Sequence, residues 1–405
     1  MHSRQRIPFR IALLASTLAL ASIATSAAAQ TYNFRVVHHF SGAPDDGGNP
    51  DGTVQFDTSG NLYGTADEGT YGAGVIFKID KNGTETIIHS FDGAAGGGPQ
   101  GVTIDPATGD LYGATGYGGD LSACSGVGCG VLYKLAADGV FTVLHNFDGD
   151  AGSWYPNSRL LLDQQGNLYG TTSNGGENDA GTIFKYGTDG SFIVLHSFAG
   201  ADGSEPRSGV ISDSAGNLYG ITYQGGSFGA GTVYKLTGDG NFMTLHSFTN
   251  GSDGGYPLGG MVGDEAGNLY GTTSGGGDSY IGTVFKLTPE GVLTTMHSFT
   301  GITNGRDGDG AEPVGDLLRI GNNLYGTTRK GGHFCKSGGC GTVFKLAQDG
   351  TETVLHAFTQ RDIAGLPYDG VAYKYGRLFG TAFIGVSGTG GVGGPGTVFS
   401  IGVSR

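Results

Sequence analysis

Three short segments decide the fold of this chain: Asn-Leu-Tyr-Gly-Thr-Thr at residues 268–273, Gly-Thr-Val-Phe-Lys-Leu at residues 282–287 and Met-His-Ser-Phe at residues 296–299. Their pattern returns seven times, at intervals of 49 to 59 residues. The glycine of the first segment recurs as Gly64, Gly113, Gly170, Gly220, Gly271, Gly326 and Gly380, and the histidine of the third as His38, His89, His145, His196, His246, His297 and His356. A period of about fifty residues is typical of a repeat architecture, in which each unit buries its apolar face against its neighbours.

Composition favours β structure within each unit. The chain has 82 glycines in 405 residues, and an interior glycine costs a helix about 1 kcal/mol relative to alanine. Each unit reads as four short apolar or alternating runs bounded by Gly, Asp and Asn, which is typical of an antiparallel meander. In the fourth unit we predict these strands, named A to D, at residues 209–213, 217–222, 231–236 and 241–248.

Seven such sheets predict an all-β, seven-bladed β-propeller, because radial repetition leaves only short, protected sheet edges. The last unit offers strands A to C at residues 370–374, 377–382 and 396–401, but no fourth. Residues 35–40 match the third segment alone. We therefore predict that this N-terminal strand completes blade seven and closes the ring.

The loops fall into two sets. The A-to-B and C-to-D turns are short and share one face of the ring. The B-to-C loops and D-to-A crossovers share the other, which we call the variable face because it carries insertions at residues 117–128, 333–339 and 383–395. Since loops on a rigid scaffold carry function disproportionately, we expect the working surface there.

Residues 1–29 read as a secretory signal peptide. Arg4, Arg6 and Arg10 precede an apolar run at residues 11–23, and small residues precede Gln30. The run is shorter than the roughly 20 residues a membrane-spanning helix needs. We predict a mature chain of residues 30–405 that forms one propeller domain, is periplasmic or extracellular, and contains no membrane span.

The charge balance narrows the partners. The formal net charge is -14, whereas nucleic acids and anionic membranes require clustered Lys and Arg. We expect no nucleic-acid partner and no cofactor, a monomeric state, and a polysaccharide or protein ligand.

The combined segments, followed by Asp-Gly and Pro, resemble the GloVer tandem repeat of exported bacterial proteins, over nearly the whole mature chain. The resemblance implies an exported, propeller-like protein and brings no assigned activity or catalytic residues. Members often end in sorting or anchoring tails, whereas this sequence stops four residues after Ile401. We therefore expect a soluble exported form.

Residues that recur in each blade are interpreted as structural, since they stand on a ring and do not converge. This applies to the seven histidines, which we expect to bond at strand ends, to the strand-C lysines and to the strand-B tyrosines, expected to pack with the hydroxyl reaching a partner. The lysines are Lys78, Lys134, Lys185, Lys235, Lys286 and Lys345, and the tyrosines are Tyr63, Tyr112, Tyr169, Tyr219, Tyr270 and Tyr325.

The four cysteines form two close pairs, Cys124 with Cys129 and Cys335 with Cys340. In an exported protein two local disulfides are expected. A shared zinc site would need blades two and six to meet, so we predict no metal site. Asp-Gly sequences in the crossovers lack a full calcium-loop spacing and are interpreted as turns.

Functional candidates are residues that depart from the repeat on the variable face. Trp154 and Tyr155, which include the single Trp of the chain, could stack on a sugar or an apolar partner. The remaining candidates are Arg159, Glu177, Glu205, Arg207, Arg329, Lys330 and His333, with Glu312 supplying a further carboxylate. The alternative is a solvated rim of unrelated side chains.

Two functions follow. The first is a non-catalytic binding protein for carbohydrate or protein, with the basic candidates suited to an anionic polymer such as a uronic acid. The second is a polysaccharide lyase or glycoside hydrolase at the channel mouth, which needs a converging acid and base. No diagnostic catalytic spacing appears, so we favour the binding protein.

Overall fold

Short antiparallel strands form seven blades within residues 32–403 of the computed structural model, which describes this range apart from residues 45, 150–152, 303–307, 334–338, 360–363 and 388–390. The predicted signal peptide lies outside the described residues. In these ranges helix is confined to one 3-10 turn, Cys124–Gly126, and no helix is long and apolar enough to cross a bilayer.

Each blade follows the order A, B, C, D, as predicted. Strand A is interrupted in blades two and three, so each of those sheets counts five strands. The strands of blades one to three are Gly48–Phe56, Leu62–Glu68, Val75–Ile79 and Glu85–Ser90; Gly97–Pro99 with Thr103–Ile104, Leu111–Tyr117, Val131–Leu135 and Phe141–Asn146; and Ser153–Pro156 with Leu161–Leu162, Leu168–Gly175, Thr182–Tyr186 and Phe192–Ser197. Blades four to six comprise Ile211–Ser212, Leu218–Thr222, Thr232–Leu236 and Phe242–Ser247; Val262–Gly263, Leu269–Thr273, Thr283–Leu287 and Leu293–Ser298; and Leu318–Ile320, Asn323–Thr328, Thr342–Leu346 and Glu352–Ala357.

Blade seven closes the ring as the sequence predicts. It contains Ala372–Lys374, Arg377–Ala382, Thr397–Gly402 and the N-terminal strand Phe34–His39. The last two pair antiparallel, with Phe34 opposite Ile401 and His39 opposite Thr397. The insertion between strands B and C of this blade forms a small hairpin, Gly385–Ser387 with Gly391–Gly394.

The recurring glycine of strand B lies beneath an aromatic ring from strand C. In blade five, Gly271 is paired with Phe285, and a Cβ placed on Gly271 would lie 2.6 Å from Cζ of Phe285. The same contact recurs in the other blades, and the rings are fully buried. Only glycine leaves room for a ring to lie flat across its own sheet, so this residue fixes how adjacent strands pack.

A second recurring contact joins each blade to the next. The N–H of the residue before a proline in each D-to-A crossover donates to the carbonyl before strand C of the preceding blade. The seven pairs, at 2.6–3.1 Å, are Asn49 to Pro395, Gly98 to Ala73, Tyr155 to Cys129, Glu205 to Ala180, Tyr256 to Ala230, Glu312 to Ile281 and Leu366 to Cys340. The glycine that opens strand C then receives the proline ring. A Cβ on Gly282, for example, would lie 2.6 Å from Cδ of Pro313.

The recurring histidines contact the crossovers and the next blade. Each strand D carries a bulge just before its histidine, which re-aims the ring. Four histidines bond a crossover aspartate through Nε2: His38 to Asp46, His196 to Asp202, His246 to Asp253 and His297 to Asp309, at 2.9–3.4 Å. For these four, the predicted hydrogen-bonding role is confirmed, and the crossover aspartates have a structural use without calcium.

The tyrosine prediction is confirmed for four of the six tyrosines, and the disulfide prediction for one of the two cysteine pairs. Tyr63, Tyr169, Tyr219 and Tyr270 donate to turn aspartates at 3.0–3.2 Å. A disulfide joins Cys124 and Cys129. Cys335 lies outside the described residues, so the pairing of Cys335 with Cys340 stays a prediction.

Replacing Gly271 with alanine tests the ring-over-glycine contact. The new methyl group overlaps the buried Phe285 ring, so we expect Gly271→Ala to lower the free energy of unfolding by about 1–3 kcal/mol, measured by urea denaturation. Gly238→Ala is the matched control, because its Cβ would lie 3.8 Å from the nearest atoms in an exposed turn. Equal denaturation midpoints for the two variants would contradict this account.

Candidate functional site

Seven side chains meet at the mouth of the central channel on the variable face. Each is the residue that follows the crossover proline, and each is different: Asp51, Gln100, Asn157, Arg207, Leu258, Val314 and Tyr368. Together they line a depression of about 740 Å³. A volume of this order is typical of a small-molecule site. We call this depression the mouth site.

The residue before each proline holds a left-handed backbone. These seven residues have φ between 52° and 61°, and six of them are not glycine. Such a conformation costs a non-glycine residue about 1–3 kcal/mol and persists only where surrounding contacts hold it. Here the hydrogen bond to the preceding blade holds it, and the proline that follows turns the next side chain into the channel.

Three aspartates gather below the mouth site. Asp51, Asp316 and Asp369 line a narrower continuation of the channel, of about 190 Å³, together with Arg159. Asp369 accepts a hydrogen bond from the Gly52 N–H at 2.6 Å, and Asp316 accepts one from the Gly260 N–H at 2.6 Å. Burial, the negative charge of Asp51 and a hydrogen bond with its side chain raise the pKa of Asp369 well above its ordinary value. Asp369 therefore retains its proton at a pH where an exposed aspartate has lost it.

A fourth aspartate lines the mouth site from strand B of blade one. Burial, followed by the charges of Asp51 and Glu68, raises the pKa of Asp67 to about 7. The mouth site thus gains negative charge as the pH rises through neutrality.

Three of the cationic candidates are paired with glutamates. Arg207 bonds Glu205 at 2.7 Å and lies 4.3 Å over the Tyr223 ring. Arg329 is bonded to Glu312, and Lys330 Nζ bonds the same carboxylate at 2.9 Å. These three cations are thus compensated by glutamates, whereas Arg159 forms no ion pair among the described residues.

The two aromatic candidates line the mouth site from strand A of blade three. Trp154 donates through Nε1 to Asp179 at 3.2 Å and packs against the core between blades two and three. Tyr155 is 45 % exposed. The Trp154 ring is therefore held in place by its contacts, whereas the Tyr155 ring is accessible to a ligand.

The structure brings some of the predicted residues together and not others. Trp154, Tyr155, Glu205, Arg207 and Arg329 line the mouth site, and Arg159 lies deeper in the channel. Three candidates lie outside the lining of both cavities, namely Glu177, Lys330 and His333, and two of these, Glu177 and His333, are exposed on B-to-C loops. Glu177 and Glu205 therefore do not line a common cavity.

Sequence reasoning missed the acidic part of the site, namely Asp51, Asp67, Asp316 and Asp369. The signal was the proline of each crossover. Aligning the seven units on that proline shows seven different residue types at the position after it, and this alignment would have pointed to Asp51.

Comparison with protein families identifies the repeat. A family model described as the Gloeobacter/Verrucomicrobia repeat matches residues 23–160 and 121–333, which is more than half of the chain. The chain belongs to the Gloeobacter/Verrucomicrobia repeat family. The mouth site is thus built on this repeat, at the position where its copies differ. No functionally curated protein matches the sequence.

Solved structures share the architecture at low sequence identity. Virginiamycin B lyase from Staphylococcus aureus is 13% identical with a TM-score of 0.58, over 92% of this chain and 100% of that one. A puromycin hydrolase is 13% identical with a TM-score of 0.52, over 87% of this chain and 54% of that one. At such identity the likeness shows the fold alone.

Replacing Asp67 with asparagine tests the charge of the mouth site. Since the pKa of Asp67 is higher in the folded protein than in the unfolded chain, its contribution to stability is fully present below about pH 4 and is lost as the pH rises through 7. We expect the fall in unfolding free energy between pH 5 and pH 8 to be smaller in Asp67→Asn than in the wild type, measured by urea denaturation. Asp138→Asn, on an exposed turn, controls for net charge. An unchanged slope in Asp67→Asn would contradict the assignment.

Proposed function

We propose that this protein is an exported binding protein that holds a neutral, polyhydroxylated ligand, carbohydrate in the first instance, in the mouth site. The observation that carries the proposal is the set of seven different side chains that replace one another at a single repeat position and line one depression. These seven side chains do not supply the recurring contacts between blades, which come from the backbone N–H before the proline and from the proline ring.

The charge of the mouth site supports a neutral ligand. Asp51, Asp67 and Asp369 are not bonded to any cation among the described residues, whereas Arg207 and Arg329 are each paired with a glutamate. A polyanion would meet repulsion from the ionised aspartates of the mouth site. Hydroxyl groups, in contrast, can donate to the carboxyl oxygens of these aspartates and to the amide oxygens of Gln100 and Asn157 while a sugar face stacks on Tyr155.

An enzyme is the second candidate, and one observation favours it. Burial and a hydrogen bond with Asp51 raise the pKa of Asp369, so Asp369 can donate a proton at a pH where an exposed aspartate cannot. A carboxyl group that keeps its proton in this way is one of the two groups that glycoside hydrolysis uses. Arg159 and Arg207 line the same continuation of the channel, so the lyase that the sequence also suggested has a cation there that could neutralise a uronate.

Export is proposed on chemical grounds. The Cys124–Cys129 disulfide is of a kind that persists in oxidising compartments and is rare in the reducing cytosol. Both the periplasm and the extracellular space are oxidising compartments, so the disulfide fits either one.

Truncation of Tyr155 tests the binding proposal. We screen the purified protein against neutral and uronic-acid glycans by retention and calorimetry. We expect neutral glycans to bind. Tyr155→Ala should raise the dissociation constant at least tenfold, a loss of about 1.4 kcal/mol of binding free energy, because the accessible ring is lost. Tyr280→Ala is the matched control: Tyr280 has a similar φ of 58° and is 70% exposed, but lies outside the mouth site. Equal loss in both variants, or retention of protein partners alone, would contradict a glycan at this site.

The Asp369→Asn variant tests whether the protein only binds its ligand or also hydrolyses it. If the Asp51–Asp369 pair hydrolyses the ligand, the wild type releases reducing ends and Asp369→Asn lowers the rate at least 100-fold while retaining ligand, since a general acid contributes factors of this order. Reducing-end assays with mass spectrometry of the products measure this. Retention without released ends in the wild type excludes the enzyme.

A further inference from the structure

A stacking rule governs the junctions between the outer strands of neighbouring blades. The first residue of each strand D packs on the histidine of the preceding blade. Where that residue is phenylalanine, the two rings stack with centroids 3.8–4.0 Å apart. The stacked pairs are His89 with Phe141, His145 with Phe192, His196 with Phe242, and His356 with Phe34.

Two junctions break this rule in the same way. Glutamate replaces phenylalanine as Glu85 in blade one and Glu352 in blade six. At both positions Oε1 is fully buried and has no hydrogen-bond partner among the described residues. A buried, unpartnered carboxylate oxygen is costly, so the substitution calls for a compensating group.

At the first of these junctions the glutamate faces two further ligand atoms. His38 Nε2, an Asp46 carboxylate oxygen and a Glu85 carboxylate oxygen all lie within 4.8 Å of one another, and this is the one group of its kind that the described residues form. His38 Nε2 lies 3.4 Å from each oxygen of Asp46, which is longer than the other three histidine–aspartate pairs. This His38–Asp46 distance is close to the roughly 3.3 Å that separates two ligand atoms of a tetrahedral ion with bonds of about 2.0–2.1 Å.

We propose that His38, Asp46 and Glu85 bind a divalent transition-metal ion of the Zn²⁺ class, with water completing the tetrahedron. One imidazole and two carboxylates give a neutral site with a divalent ion. The imidazole favours Zn²⁺ and similar ions over Ca²⁺, which takes six to eight oxygen ligands. The strand-D histidine that the sequence marked as structural thus gains a second use in this one blade.

The surroundings of the three ligands support this assignment. Asp46 is held in place by the N–H groups of Ser41 at 2.8 Å and Gly47 at 2.9 Å, which orient the carboxylate as the outer contacts of a metal ligand do. The side chains of His38 and Asp46 are 18% and 14% exposed, so the ion can enter from solvent.

The position of the site assigns the ion a mechanical role. His38 lies on the N-terminal strand that completes blade seven, Asp46 lies in the crossover that follows, and Glu85 lies on strand D of blade one. A bound ion therefore connects the closing strand to blade one, in addition to the hydrogen bonds that hold this strand in blade seven.

Metal titration of the chelator-treated protein tests the proposal. We expect Zn²⁺ to raise the melting temperature by several degrees at saturating concentration, and Co²⁺ to give the visible absorption of a tetrahedral ion. Glu85→Phe introduces the phenylalanine that stacks on histidine at four other junctions, so this variant is expected to fold. We expect it to bind one metal ion fewer per protein molecule than the wild type. Glu85→Gln, which keeps the shape of the side chain, is expected to weaken the dissociation constant at least tenfold.

Asp253→Asn is the matched control, because His246 and Asp253 form an equivalent pair and the position that corresponds to Glu85 is Leu293, which cannot bind a metal ion. It should leave the number of bound ions unchanged. The proposal is overturned if the wild type binds neither ion, if Glu85→Phe binds as many ions as the wild type with the same affinity, or if Asp253→Asn removes an equivalent as Glu85→Phe does.

Discussion

The hydrogen bond between the residue before each crossover proline and the carbonyl of the preceding blade is the contact on which the rest of the molecule depends. It sets the distance and angle between blades, since the proline ring that follows rests where the opening glycine of strand C has no side chain. It also maintains a left-handed backbone in six residues other than glycine. Because the chain turns sharply there, the residue after the proline has one direction available, into the channel. Architecture and site are therefore consequences of the same contact.

This arrangement separates the demands of folding from those of recognition. The buried rings, the opening glycines and the prolines must recur for the ring to close, and any change in them is felt at a junction between blades. The position after the proline contributes little to those junctions, so its seven copies can differ without loss of the fold. A propeller of this kind offers a set of independently variable side chains around one cavity.

The fold could be predicted from the sequence almost completely, because its determinants are local and repeated seven times. The strands of blade four lie within one or two residues of their predicted bounds, and residues 35–40 were recognised as the missing strand of blade seven. The site could be predicted in part. Trp154 and Arg207 stand out as departures from the repeat, but the pairing of Arg207 with Glu205 depends on side-chain geometry across the crossover. Asp316 and Asp369 come from neighbouring blades and meet Asp51 only through ring closure, which no local pattern encodes. Glu177 and His333 lie outside the mouth site, because the variable loops do not all extend over the channel.

The closing strand also determines how the ring would respond to tension. Phe34 is opposite Ile401, so the chain enters and leaves the propeller side by side at the same end of blade seven. Force applied through both ends would load the bonds of this pair one after another, starting with those that Asn33 O accepts from Gly402 N and Arg377 Nη2. Hydrogen bonds loaded in sequence peel apart at lower force than bonds loaded together in shear. The pairing of the first and last strands closes the ring in the folded protein. The same pairing would be the first to break under tension.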